Sequence, residues 1–140
     1  MSNGYLLDTC AFSEYKKKFP DQKVLDWIDA QIEDSLFMSV LTLGEIKKGI
    51  VQLSAGKKQT ELEEWFEKLR YRFERRVLPL DSKVLFEWGV LCGTLAMRGR
   101  VLPVIDSLIA ATALVYNLAV VTDNSDDFAD TNVLLVNPWK

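Results

Sequence analysis

Tyr5-Leu6-Leu7-Asp8-Thr9-Cys10 decides how the rest of the chain is read: a short apolar run stops on a carboxylate and a hydroxyl. A parallel strand buried on both faces reads as continuous hydrophobics, and in open α/β sheets the reactive groups stand just past the carboxyl ends of such strands. Asp8 occupies that position. The competing reading is a helix cap, because Asp, Ser and Thr are favoured N-caps and a helix beginning near Ala11 would need one. The stretch alone leaves both open. Three acidic positions downstream follow or adjoin an apolar segment in the same way, which weighs toward chemistry.

Outward from that stretch, four more short apolar runs occur: Leu36-Phe37-Met38-Ser39-Val40, Val77-Leu78-Pro79-Leu80, Leu118-Ala119-Val120-Val121-Thr122 and Val133-Leu134-Leu135-Val136. Between them apolar residues recur at three and four residues, the helical period. The first such set is Val24, Leu25, Trp27, Ile28 and Ile32 behind an Asp21 cap. Leu43, Ile46, Ile50 and Leu53 form the next, and Leu62, Trp65, Phe66, Leu69 and Phe73 a long helix that pairs with it as a hairpin. Val84, Leu85, Trp88, Leu91, Cys92, Leu95 and Ala96 follow Asp81-Ser82 as a broad buried stripe. Pro103 opens the last helix, whose core face is Ile105, Leu108, Ile109 and Val115. Residues 12–19, with Lys16, Lys17 and Lys18, read as a solvent-facing connection. Strands separated by helices imply βαβ crossovers, so the expected fold is α/β, a mainly parallel sheet with helices on both faces, in one domain over residues 1–140.

Composition narrows the chemistry. The chain has 140 residues and no histidine, which removes Ser-His-Asp triads, His-ligated zinc and His acid–base pairs. Catalysis would rest on carboxylates, and oxygen ligands favour Mg²⁺ or Mn²⁺. Cys10 and Cys92 match no zinc spacing and read as core thiols. The net charge of −3 argues against nucleic-acid binding by overall charge and leaves local patches. The polar start and the lack of a long apolar segment lead to the expectation of a cytoplasmic protein without membrane contact.

Each acid also has an ordinary explanation. Thr42 and Glu45 have capping-box spacing, an explanation that weakens if Ser39 is the cap. Asp106 suits a first helical turn, yet its apolar and small-residue setting calls for a cationic partner. Asp123, Asp126 and Asp127 lie in a polar turn of the kind that usually faces water. Together they mean more, because in a sheet whose order reverses beside the first strand, the ends of strands one and four are neighbours and both carry acids. Gathered carboxylates repel unless a divalent cation sits among them.

Four segments in order, Leu6-Leu7-Asp8-Thr9-Cys10, Ser39 through Ile50 with Glu45, Pro103 through Ala113 with Asp106, and Thr122-Asp123-Asn124-Ser125-Asp126-Asp127-Phe128, resemble the PIN-domain family, and most nearly its VapC toxins, FitB-like branch. The resemblance covers almost the entire chain. It implies that Asp8, Glu45 and Asp106 form an acidic triad with Asp127 as fourth acid, supported by Thr9, Thr122 and Asn124. Asp8 and Asp106, with Glu45, would hold the metal. Where the family often has a basic or neutral residue this chain has Asp123, so Asp123 competes with Asp127 for the fourth place. The implied activity is a Mg²⁺- or Mn²⁺-dependent endoribonuclease cutting tRNA or rRNA and leaving a 5′-phosphate. Lys47 and Lys48, beside Glu45, are candidate RNA contacts, and other basic groups from Lys57 to Arg100 are weaker ones. The implied partners are an RNA substrate, a VapB-like antitoxin, through which alone DNA is reached, and a second copy in a homodimer. A groove between the helices containing Thr42 and Phe66 would receive the antitoxin. The rival readings are a PIN-like DNA-directed nuclease or phosphatase, and a non-catalytic Mg²⁺-binding signalling domain.

Overall fold

The computed structural model describes residues 2–140. Five strands form one sheet: β1 (Tyr5–Leu7), β2 (Leu36–Ser39), β3 (Val77–Leu78), β4 (Ala119–Val121) and β5 (Leu135–Val136). Their order is β3-β2-β1-β4-β5, and every pairing is parallel. The helices are α1 (Thr9–Ser13), α2 (Gln22–Ala30), α3 (Val40–Val51), α4 (Lys57–Arg72), α5 (Ser82–Met97) and α6 (Val104–Tyr116). The α/β class and the parallel sheet agree with the sequence reading.

The period-two alternation of a strand divides the core between two faces. Leu7, Met38 and Val121 join Phe12, Ile28, Ile46, Ile50, Phe66 and Phe73 beneath α1 to α4. Leu6 and Val120 face the other way, onto Leu91, Leu95, Ile109 and Ala113 of α5 and α6. Both faces are covered, which is why these strands are apolar without interruption. Gly4 lets β1 start close to its neighbour, since a Cβ there would lie 2.5 Å from the Ser35 carbonyl oxygen. The chain turns from α6 into β4 through Asn117, left-handed at φ 54°, with the Leu118 amide bonded to Ala113 O at 2.9 Å.

Four expectations need correction. The strands are shorter than the apolar runs: only Val77–Leu78, Ala119–Val121 and Leu135–Val136 pair, because the flanking residues turn into helices and loops. The connection after β1 is not simply solvent-facing. Phe12 and Glu14 are buried, with Glu14 Oε1 accepting from the Asp21 amide at 2.9 Å and Oε2 from Trp139 Nε1 at 3.0 Å and Lys17 Nζ at 2.6 Å. On α5 only Val84, Leu91 and Leu95 are buried, and Leu85 is 46% exposed. On α6 the buried face is Ser107, Ile109, Ala110, Ala111, Thr112 and Ala113, whose small side chains admit close packing on α5, while Ile105 lies at the surface.

Candidate active site

β1 and β4 run side by side in register, Leu7 opposite Val121, so Asp8 and Thr122 emerge together at the carboxyl edge of the sheet. This is the point where strand order reverses. Thr122 Oγ1 donates to Asp8 Oδ2 at 2.9 Å and accepts from the Asn124 amide at 3.1 Å, so both functions of the hydroxyl are used. The Thr9 amide donates to Asp8 Oδ1 at 2.8 Å. Asp8 therefore caps α1 and also fronts a cleft, and the two readings of the sequence coexist. It is only 5% exposed. Burial pushes its carboxyl above the ordinary range; the bonds from Thr122 and Thr9 oppose that shift, and the charges of Glu45 and Asp123 add to it.

Glu45 is brought in by α3. The helix is capped by Ser39, whose Oγ accepts from the Leu41 amide at 3.1 Å, so it begins before Thr42 and the capping box does not form. Thr42 and Glu45, three residues apart, share a face and both meet Thr9. Thr9 Oγ1 donates to Glu45 Oε1 at 2.5 Å and lies 3.1 Å from Thr42 Oγ1. The Thr9 proton is committed to Glu45, so the buried Thr42 hydroxyl is the donor to Thr9.

Asp106 stands in the first turn of α6, behind Pro103. The expected cationic partner is not found: none of the ion pairs among the described residues involves Asp106. Its neighbours are acids. Burial, the Asp8 charge, a hydrogen bond and charge from Asp127, and the Glu45 charge together push the Asp106 carboxyl up to about 7. A hydrogen bond between two carboxyl groups needs one proton, so the crowding is relieved by protonation when no cation is present. Asp127 meets Asp106, whereas Asp123 acts on Asp8.

Asp8, Thr9, Cys10, Glu45, Asp106 and Asn124, with Pro103, Val104 and Ile105, line a cleft of about 290 Å³. Asp123, Asp126 and Asp127 line an adjoining hollow. Sequence reasoning passed over Cys10 and Thr42. Cys10 is half-buried rather than a core thiol, and burial with the Asp8 charge pushes it up to about 12, so it is a neutral wall and no nucleophile. The signal for Thr42 was its spacing from Glu45, which placed both on one helical face.

Lys48 borders a second, more apolar cleft of about 550 Å³ lined by Val40, Leu41, Gly44, Glu45, Gly49, Gln52 and Ile105, whereas Lys47 lines neither. The hollow between α3, α4 and β3, about 400 Å³, is rimmed by Glu67, Arg70 and Glu74 as well as Leu43 and Tyr71. It is thus more charged than the groove expected there, and the apolar surface lies on the opposite flank of α3. Among the weaker basic candidates, Arg72 and Arg76 hold Glu33 and Arg100 holds Asp130, so these cations are already paired.

The donor set fits a hard divalent cation: carboxylates and hydroxyls predominate, and the one thiol stays protonated. No three Asp, Glu or Cys side chains among the described residues close into a ligand cage. A cation here would keep much of its water, as Mg²⁺ does and structural zinc does not.

Comparison with known proteins agrees with this architecture. The PIN domain model matches residues 5–134. The VapC ribonuclease Y4jK of Sinorhizobium fredii is 33% identical over 136 residues, covering 96% of this chain and 97% of that protein. Toxin FitB of Neisseria gonorrhoeae is 32% identical over 135 residues, covering 96% and 97%. The crystal structure of FitAcB from Neisseria gonorrhoeae superimposes with a TM-score of 0.92 at 32% identity, covering 96% of this chain and 98% of that one. The four acidic segments, the 3-2-1-4-5 parallel sheet and these full-length matches together show that the chain belongs to the PIN-domain family, in its VapC/FitB-like toxin branch.

Proposed function

We propose that this chain is a Mg²⁺- or Mn²⁺-dependent endoribonuclease, the toxin of a toxin–antitoxin pair, that hydrolyses phosphodiester bonds of tRNA or rRNA through Asp8, Glu45, Asp106 and Asp127. The observation that carries the reading is the crowding of carboxylates at the strand-order reversal, which pushes Asp106 up to about 7 with no ion pair to it among the described residues. The ribonuclease named among its relatives and the family's general metal dependence support it. Asp8, Asp106 and Glu45 would hold the ion. When bound, it supplies positive charge beside the scissile phosphate and makes nearby water more acidic.

The chain's own groups do the positioning. Thr122 and the Thr9 amide fix the two oxygens of Asp8. Thr9 occupies Glu45 Oε1, which leaves Oε2 to face the ion and, once free of it, to take the proton of an attacking water. Asp127 orients Asp106, and Asn124 fixes Thr122 through its amide. Lys48, beside Glu45, would meet a substrate phosphate. Water attack would leave a 5′-phosphate.

A receiver-like signalling domain is disfavoured because such folds have strand order 2-1-3-4-5 and a strand-end Lys, whereas here the order is 3-2-1-4-5 and β5 runs into Asn137-Pro138. Control by a VapB-like antitoxin is supported by FitAB, a similar solved structure bound to a DNA fragment, and DNA would be reached only through that partner. An apolar segment of that partner would lie in the cleft beside Glu45, with an Arg entering the acidic pocket from it. A homodimer is supported by the exposed apolar face of α5, where Phe86 is 77% and Met97 91% exposed.

The test is cleavage of RNA and DNA of matched sequence by the purified protein with Mg²⁺, with Mn²⁺ or with EDTA. Metal-dependent cleavage of RNA alone, lost in Asp8→Asn, is expected. Cleavage of DNA, release of phosphate from monoesters only, or undiminished activity in EDTA would refute the reading.

A further inference from the structure

An acidic cleft repels the polyanion it is proposed to cut, so cations close to it must receive the substrate. Most arginines of the chain's middle are paired within the protein. The loop after α1 differs. Glu14, 2% exposed, ties its two ends together by accepting from Lys17 Nζ and from the Asp21 amide, and Trp139 seals the base. A buried carboxylate spent on closing a short loop fixes how residues 17–20 are presented.

What the loop presents is an aromatic ring with an ammonium group over it. Phe19 is 83% exposed, and Lys18 Nζ lies 5.6 Å from its ring centroid. Lys16, half-buried, stands near enough to Lys58 of α4 for their charges to repel, and neither makes an ion pair among the described residues. Lys17, bound to Glu14, also feels the charge of Asp123, which adjoins Asn124 in the wall of the acidic cleft. The start of the loop thus lies within electrostatic reach of that cleft's rim, beyond the far end of the short helix that begins behind Asp8. Tyr71 and Phe86 are comparably exposed, but among the described residues neither has a lysine over its ring.

We propose that the loop of residues 17–20 is a platform for unpaired RNA, on which Phe19 stacks a base while Lys18, Lys16 and Lys58 hold flanking phosphates and guide the strand into the cleft. This rests on the ribonuclease reading and specifies the form of substrate: a single-stranded stretch, because bases within a duplex are already stacked and offer no free face. Charge selects the occupant. An exposed aromatic ring with one unpaired lysine over it, and two more unpaired lysines close to each other on the neighbouring turn and α4, suit alternating phosphates and bases, the arrangement by which single strands are held without sequence readout.

The experiment is a titration of fluorescein-labelled oligouridylate, about 12 nucleotides long, with the full chain in EDTA, read by anisotropy at several salt concentrations. Phe19→Ala is expected to weaken binding about 5- to 100-fold, and Phe19→Trp to bind at least as tightly as the parent. Lys18→Ala should lower the slope of log affinity against log salt by about 0.7, the value for one phosphate on a single strand. A duplex of the same length should lose little with Phe19→Ala. If the parent binds the oligonucleotide and both Phe19→Ala and Lys18→Ala stay within about two-fold of it, the platform is overturned while the ribonuclease reading stands. An oligoglutamate peptide bound with the same dependence on Phe19 also overturns it, in favour of an acidic protein partner. A parent that neither binds nor cleaves RNA refutes the ribonuclease reading and takes the platform with it.

Discussion

Thr9 joins two carboxylates, its amide on Asp8 and its hydroxyl on Glu45, with Thr42 donating to it from behind. Thr42 is thus a positioning residue. Thr42→Val, nearly isosteric, should lower kcat for RNA cleavage about 10-fold with KM little changed, and Thr42→Ser should restore it; equal kcat in all three proteins would remove the role. Glu45 gives a sharper contrast. Glu45→Gln should cost about 100-fold or more in kcat, as expected for a lost general base, with little change in melting temperature. Wild-type turnover would leave Glu45 with packing alone. Asp106 carries a stability signature. With its folded pKa raised to about 7, the native protein binds more protons than the unfolded chain between the ordinary carboxylate range and pH 7, so stability of the metal-free protein falls as pH rises through that window. Asp106→Asn should therefore raise stability at pH 7.5 by about 1 kcal/mol, a modest gain because water screens a half-buried group. Thermal melts in EDTA that show the variant less stable than its parent would contradict this.

At the level of elements, the start of α3 sets where Glu45 points. Ser39 caps it, and Ser39→Ala should cost about 1 kcal/mol, seen as a melting temperature lower by roughly 3–5 °C. The loop after α1 depends on Glu14 in a way that pH reveals. Burial raises its carboxyl, but bonds from the Asp21 amide, Lys17 and Trp139 outweigh that and leave it below the ordinary range. A depressed folded pKa gives stability that is present above the unfolded value and is lost as pH falls through the folded one. Acid unfolding of the parent should show this loss below about pH 4, and Glu14→Gln should flatten it; identical acid limbs would exclude it. Much of this level was legible in the sequence. The run Leu6-Leu7-Asp8 announced a strand ending in a carboxylate, and the helical spacings placed Glu45 and Asp106 on helices beside it. Glu14 was not legible, because it sits before three lysines, where a local reading finds only charge; its burial comes from Asp21 and Trp139, one of them at the far end of the chain.

For the whole molecule, the reversal of strand order between β1 and β4 gathers acids from four separated segments, and their order along the chain already carried that inference. On α5, the helical spacing places Leu85 in the buried stripe, a misreading with a related cause. Leu85, Phe86, Val90 and Met97 have core composition but lie outside the core, and periodicity cannot tell a face covered by the same chain from one covered by another. In a two-fold dimer through that face, Phe86→Glu with Val90→Glu would bring like charges together twice, so the variant should sediment as a monomer where the parent is a dimer. A monomeric parent would rule the dimer out. The central claim, that these acids cut RNA, is tested most directly by mapping new 5′-phosphate ends across cellular RNA after brief expression of the parent and of Asp8→Asn. A small set of discrete ends in tRNA or rRNA, present with the parent and missing with Asp8→Asn, is the expected result; the same ends in both, or none in either, would contradict it.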